Sequence, residues 1–239
     1  MIAVGCAGWS LPRQEQHRFA QGESHLQRYA SRFAVTEINS TFHRPHRAHV
    51  YERWAKAVPA DFRFCAKLPK IITHEQRLVN GEALLRQFLE EASPLGAKLA
   101  CLLVQLPPSL AFDRVVAAGF LEMLRRHWPA KAALEPRHAS WFAPDADELM
   151  RELEVARVLA DPVRHEGGHA PGGWPGFVYV RLHGSPRMYY SEYESSVMEA
   201  LAKRLRIAET ECDEAWCMFD NTASGAAVTN ALQLVEALA

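Results

Sequence analysis

Short stretches of apolar or alternating residues recur along the chain, separated by longer segments with helical spacing. The clearest short stretch is residues 177–183. In an extended chain Val178, Val180 and Leu182 fall on one face, and Tyr179, Arg181 and His183 fall on the other, because successive strand side chains point to opposite sides. Such a strand packs on one side and carries polar chemistry at the C-terminal end of the other, just before the Gly184-Ser185-Pro186 turn. Seven more stretches read as strands: residues 2–5, 34–42, 61–67, 99–106, 132–137, 157–161 and 216–220. In the second, Glu37, Asn39 and Thr41 alternate with Ile38 and Phe42; in the third, Phe62, Phe64 and Ala66 oppose Arg63, Cys65 and Lys67. The fourth is apolar almost throughout, as suits a strand covered on both faces.

Helical spacing predicts helices over residues 15–31, 49–58, 82–92, 115–126, 145–153, 194–208 and 226–238. Val50, Trp54 and Val58, four apart, form one such stripe. Only residues 167–176 break the alternation; they are rich in Gly and Pro and predict an irregular loop. Strands alternating with helices imply a parallel sheet. Eight such units in 239 residues match an α/β TIM-like (β/α)8 barrel. The expected barrel is one domain over residues 1–239, with the Gly/Pro-rich loop replacing the helix between strands six and seven. A doubly wound sheet is disfavoured, because the first turn, Gly5-Cys6-Ala7-Gly8-Trp9-Ser10, lacks the G-x-G-x-x-G fingerprint.

Composition adds limits more than detail. With 49% hydrophobic and 23% charged residues the chain is ordinary globular material. A net charge of -1 gives no bulk attraction to nucleic acid or acidic membranes. Of the five cysteines, Cys6, Cys65 and Cys101 fall inside strand patterns and none form a C-x-x-C pair. Reduced core thiols in a cytoplasmic protein are therefore expected. The first residues start directly in a strand pattern, so neither a secretion leader nor a membrane span is expected.

The candidate chemistry lies at the strand ends. In a TIM barrel the strand C-termini converge on one mouth. Here those ends carry Glu37, Asn39, Lys67, Gln105, Glu135, Arg137, Asp161, Arg181, His183 and Asp220. An ion-pair network filling the barrel top is the bland reading of any one of them. Their collection at one end favours a ligand site. Arg137, Arg181 and Lys67 then hold an anion, and Glu37, Glu135, Asp220 or His183 move protons. Gly184-Ser185 and the start of the last helix at Asn221 occupy places where barrels often bind phosphate. Trp9, just past the first strand, either stacks on a ligand or covers the core. No cofactor is expected. A divalent metal (Mg, Mn or Zn) on Glu37, Glu135, Asp161, Asp220 and His183 is the weaker reading, since nearby cations compete with it. Lys67 as a Schiff-base nucleophile is weaker than Lys67 in an ion pair.

Seven motifs carry a resemblance: G-C-A-G-W-S, T-E-I-N-S-T-F-H-R-P, F-R-F-C-A-K-L-P-K-I-I-T-H, L-L-V-Q-L-P-P-S-L, L-E-P-R-H-A-S-W-F, Y-V-R-L-H-G-S and F-D-N-T-A-S-G-A-A. In this order they resemble the YecE-like family, known as domain of unknown function 72, over essentially the whole chain. The resemblance implies a TIM-like barrel and no settled activity. It adds Thr73, His74 and Trp141 to the candidate residues, and its motif residues include Thr41, His138, Gly184 and Asn221. His43 stands where the family pattern has Tyr. The expected protein is an enzyme doing acid/base chemistry on a phosphate-bearing or other anionic small molecule. The alternatives are a phosphodiester- or nucleic-acid-processing barrel, with Trp9, Arg44 and Trp141 lining a groove, a metal-dependent enzyme, and a non-enzymatic ligand-binding or scaffold barrel.

Overall fold

A computed structural model describes residues 1–239. Its strands are β1 (Ile2–Cys6), β2 (Val35–Ile38), β3 (Arg63–Lys67), β4 (Leu99–Gln105), β5 (Lys131–Glu135), β6 (Val155–Arg157), β7 (Leu159–Asp161), β8 (Gly172–Gly173), β9 (Phe177–Leu182) and β10 (Glu214–Phe219). The helices are α1 (His25–Tyr29), α2 (Ala48–Lys56), α3 (Glu82–Ala92), α4 (Arg114–His127), α5 (Pro144–Glu152), α6 (Ser195–Glu211) and α7 (Ala226–Leu238). The fold is mixed α/β with parallel sheets, and the expected alternation is present. The ladders form two sheets rather than one continuous barrel ladder. One is ordered β1-β10-β9-β7 and the other β2-β3-β4-β5-β6-β8. All pairings are parallel except β6 with β8.

Three predicted elements differ from those observed. The helix expected over residues 15–31 contracts to α1, because Ser24 caps it by accepting from the Gln27 N–H. The strand expected over 34–42 stops at Ile38. Asn39 turns to φ −80 and ψ −23, and a 3₁₀ turn follows over Ser40–Phe42. Asn39 and Thr41 therefore do not share a strand face with Glu37. The strand expected over 157–161 is two strands that exchange partners. β6 pairs with β5, Val158 N–H donates to Leu134 O at 2.9 Å, and β7 then pairs with β9. One extended segment thus passes from one sheet to the other. The Gly/Pro-rich loop forms no helix, as expected, but its Gly172–Gly173 pair adds the short antiparallel β8.

The sheets also meet where β1 passes β2, and side-chain hydroxyls join them there. The Tyr29 hydroxyl accepts from Cys6 N–H at 2.8 Å and donates to Val35 O at 3.0 Å. Thr36 Oγ1 donates to Cys6 O at 3.0 Å. Backbone pairing resumes one step on, with Gly8 N–H on Glu37 O at 2.9 Å. Gly5 is required at this crossing, since a Cβ there would stand 2.2 Å from the Val35 carbonyl oxygen.

The core has two layers. Outward-facing residues such as Phe64, Ala66, Leu102, Val180 and Leu182 pack under the helices. Inward-facing Cys65, Leu103, Ala133, Tyr179, Trp216 and Met218, drawn from both sheets, form a second apolar cluster. The cysteines are reduced, and burial pushes the Cys6 thiol up to about 12. The polar cluster described next lies at the C-terminal end of this inner layer.

Tyr29→Phe leaves Cys6 N–H and Val35 C=O buried without partners. The expected loss is about 2–4 kcal/mol, from two orphaned groups at roughly 1–2 each, read by urea unfolding. A loss no greater than that of a surface Tyr→Phe change would show that this seam does not hold the sheets together.

Candidate active site

β9 delivers Arg181 to the end of the inner layer, where its side chain is 0% exposed. A buried guanidinium needs opposite charge on several sides, and the neighbouring strands supply it. Arg181 Nε and Nη2 donate to Glu37 Oε2 and Oε1 at 3.0 and 2.6 Å. Its Nη1 donates to Glu135 Oε2 at 2.5 Å, and its Nη2 also reaches Asp220 Oδ2 at 3.0 Å. β2, β5 and the end of β10 thus each send one carboxylate to a single cation. Tyr179 donates to Glu37 Oε2 at 3.1 Å, and Gln105 donates to Glu135 Oε2 at 3.2 Å. Asn39 Nδ2 donates to Asp220 Oδ1 at 3.4 Å.

His183 lies beside this knot. Its Nδ1 is 3.0 Å from Asp220 Oδ2, so Nδ1 carries a proton. Its Nε2 is 3.1 Å from Glu135 Oε1 and 3.1 Å from Arg137 Nη2. A carboxylate only accepts and a guanidinium only donates. Nε2 therefore has a partner whether or not it holds a proton. Arg137 is itself ion-paired with Glu135. Lys67 completes the set: its Nζ lies 4.2 Å from the Phe42 ring centroid. Glu37, Glu135 and Asp220 are offset by Arg181, Arg137 and Lys67.

The charges shift one another. Burial works to raise the Glu135 carboxyl, but Arg181, His183 and Arg137 together hold it well below the usual range. Asp220 is also lowered, against its burial, by Arg181 and His183. The Lys67 ammonium is lowered, first by burial and then by Arg181, while the three carboxylates oppose the shift. His74 bonds Thr73 through Nδ1 at 2.8 Å and meets the Phe42 ring edge-on. It is lowered by burial and then by Lys67 and Arg137.

The carboxylates do not fit a metal. They converge on the Arg181 guanidinium, which stands where a cation would, and no group of three His, Cys, Asp or Glu side chains is arranged to hold one. The large concavities lie elsewhere. One of about 590 Å³ borders Met1, Trp216 and Leu238, and another of about 590 Å³ lies between residues 170–175 and α6. A cavity of about 20 Å³ touches Arg137 and His165 beside the polar cluster.

Comparison with known proteins agrees with the motif order. The sequence model of the family described as "Protein of unknown function DUF72" matches residues 3–239. The chain belongs to the DUF72 family. It is 25% identical to the UPF0759 protein YunF of Bacillus subtilis, over 100% of this chain and 95% of that protein. It is 32% identical to the UPF0759 protein YecE of Escherichia coli K12, over 67% of this chain and 59% of that one. Crystal structures of DUF72 family proteins share the fold. That from Enterococcus faecalis gives a TM-score of 0.83 at 24% identity, covering 100% of this chain and 95% of that one. That from Thermotoga maritima gives 0.81 at 24% identity, covering 100% of this chain and 99% of that one.

Within this DUF72 chain, the structure brings Glu37, Lys67, Gln105, Glu135, Arg137, Arg181, His183 and Asp220 together, with Asn39 and His74 at the margin. Other expected residues lie apart from them. Trp141 is buried in the core, donates to Leu110 O at 2.9 Å and packs on Phe112; the concavity of about 290 Å³ that it borders, with Leu78, Leu110 and Val116, contains none of the clustered charges. Trp9 packs on Trp54 and Phe64, covering the core rather than facing the charges. Thr41 Oγ1 bonds Ile38 O and Lys67 O at 2.8 and 2.6 Å, locking the turn. Gly184 N–H donates to the Tyr193 hydroxyl at 2.9 Å, and Asn221 Nδ2 donates to Ser191 O and Asn230 Oδ1. The N–H groups of Ala223, Gly225 and Ala227 bond Tyr189 O, Thr222 O and Asn221 O, so they are not free for phosphate. His138 bonds Ser140. Asp161 pairs with the Tyr193 hydroxyl at 2.6 Å, apart from the Arg181 knot. Arg181 itself is fully engaged by carboxylates and is no anion contact. Tyr179 and Phe42 also belong to the cluster. Tyr179 is legible in the sequence, since it shares a strand face with Arg181; Phe42 is not, because the strand pattern over residues 34–42 puts it on the face opposite Glu37, whereas it lies in a 3₁₀ turn.

Arg181→Ala strands Glu37, Glu135 and Asp220 without their common cation. It is expected to cost about 3–5 kcal/mol in denaturant unfolding; a change under about 1 kcal/mol would show the network to be dispensable. Acid sensitivity follows from the lowered carboxyls. Their folded values lie below the unfolded ones, so the stability they contribute is complete above about pH 4.5 and is lost as pH falls below it. Glu135→Gln should flatten the fall in unfolding free energy across that acid range; an unchanged slope would assign the acid limb to other groups.

Proposed function

We propose that this DUF72 protein is an enzyme doing acid/base chemistry on a phosphate-bearing or other anionic small molecule, at the C-terminal ends of its strands. The observation that carries the reading is the position of His183 Nε2, 3.1 Å from Glu135 and 3.1 Å from Arg137, with Nδ1 held by Asp220. Such an imidazole can give or take a proton at Nε2 without losing a partner. Asp220 sets its tautomer, as a carboxylate behind a catalytic histidine does. The anion contacts are Lys67 and Arg137, with His74 beside them. Lys67 Nζ makes no hydrogen bond within the chain and rests on Phe42. Arg137 Nε is buried without a partner. Arg181 is a positioning residue that holds Glu37, Glu135 and Asp220 in place.

The reading takes the two sheets as halves of a TIM-like (β/α)8 barrel. The hydroxyl seam between β1 and β2 and the handover at Val158 support it. No helix is long and apolar enough to cross a membrane.

Inorganic phosphate and phenyl phosphate at millimolar concentration should raise the melting temperature of the wild-type protein. Lys67→Met should abolish the rise while leaving the fold intact by circular dichroism. His183→Asn should retain anion binding and lose turnover in a screen of phosphate esters. Absence of any anion-dependent shift in the wild type, or a shift untouched by Lys67→Met, would sink the proposal.

A further inference from the structure

The loop after β9 holds a residue in a conformation that its side chain disfavours. Tyr189 has φ 69, in the left-handed region that costs a bulky residue roughly 1–3 kcal/mol. Leu78 has a similar φ of 70, but its side chain is buried in the core. Tyr189 has no such compensation, being 41% exposed. Its backbone is held on both sides. Its N–H donates to His183 O, and its carbonyl accepts from Ala223 N–H at 3.0 Å. The next carbonyl, of Tyr190, accepts from Ser224 Oγ at 2.6 Å. These bonds fix the ring against His183, edge to face, with centroids 5.7 Å apart and planes at 90°.

His183 is fully buried. Three of its neighbours, Glu135, Arg137 and Asp220, belong to the polar cluster, whereas Tyr189 comes from an exposed loop. The ring thus touches the imidazole and still presents surface to solvent. We propose that Tyr189 is a ligand-contacting, specificity-determining residue: it covers His183 and seats the ring of an aromatic or otherwise ring-bearing anionic substrate. This rests on the reading above that the cluster takes an anion. The substrate's anionic group engages Lys67 and Arg137, and its ring packs on Tyr189 beside Nε2 of His183. The strained backbone is then explained by function, since it aims a large ring at a place where packing does not require one.

Tyr189→Gly tests this, because glycine adopts the same φ freely and keeps both backbone bonds. The variant should melt no lower than wild type. Its His183 should react with diethyl pyrocarbonate several-fold faster, followed by mass spectrometry of the His183 peptide. Wild type should bind phenyl phosphate roughly five- to ten-fold more tightly than inorganic phosphate, the worth of one aromatic contact. Tyr189→Gly should erase that preference, and Tyr190→Ala, which removes only the ring stacked under Arg187, should keep it. A melting temperature several degrees below wild type would make the ring ordinary packing and overturn the proposal, as would unchanged His183 labelling. Equal wild-type affinity for the two anions overturns the ring seat alone. Failure of both to bind overturns the anionic substrate itself and the ring preference with it.

Discussion

A single buried cation, Arg181, holds three strand ends together. Glu37, Glu135 and Asp220 come from β2, β5 and β10, which lie far apart in sequence and in both sheets. None of these carboxylates tolerates such burial alone, because desolvating an isolated charge costs several kcal/mol. Around one guanidinium they lose little, since its planar donor fork meets Glu37 with two nitrogens and still reaches the other two. The inner apolar layer ends where this knot begins. Tyr179 belongs to both: its ring packs in the layer and its hydroxyl bonds Glu37.

The same knot fixes the surroundings of His183. Arg181 binds Glu135 through Oε2 and leaves Oε1 to His183, whereas Asp220 shares Oδ2 between Arg181 and His183. The imidazole therefore sits between fixed charges rather than mobile water, an arrangement that costs no reorganisation when a proton moves. Lys67 and Arg137 lie toward the less buried edge, and burial beside Arg181 lowers the Lys67 ammonium. The interior charge is enclosed by carboxylates and the rim charge is less enclosed, although both come from the same pattern of strand ends.

The seams of the fold follow a similar economy of polar groups. Where β1 passes β2, no backbone ladder closes the gap at Cys6 and Val35, and a tyrosine hydroxyl fills the missing place. A buried N–H and C=O left open there would each be costly. On the opposite side the chain itself crosses, at Val158, from one sheet to the other. Such devices leave no trace in hydrophobic periodicity. Tyr29 reads only as an apolar position on a helix, and Val158 as the middle of one strand.

Much was legible in the sequence alone. Period-two alternation, or for β4 a continuous apolar run, located the strands, because at least one side of each must face apolar packing whatever the topology. The polar strand ends identified Glu37, Lys67, Glu135, Arg137, Arg181, His183 and Asp220, because a charge at the end of a buried strand needs partners from neighbouring strands. Motif order identified the family. What tertiary structure alone decided was the role of each group. Arg181 and Lys67 look alike as cations at strand ends, yet one is enclosed by three carboxylates and the other rests on Phe42 with a free ammonium. Trp141, Asn221 and Gly184 belong to the motifs, yet their hydrogen bonds go to the core and the loops. Burial and partner distance separate these cases, and both depend on which distant strands become neighbours, a fact that no local pattern of residues encodes.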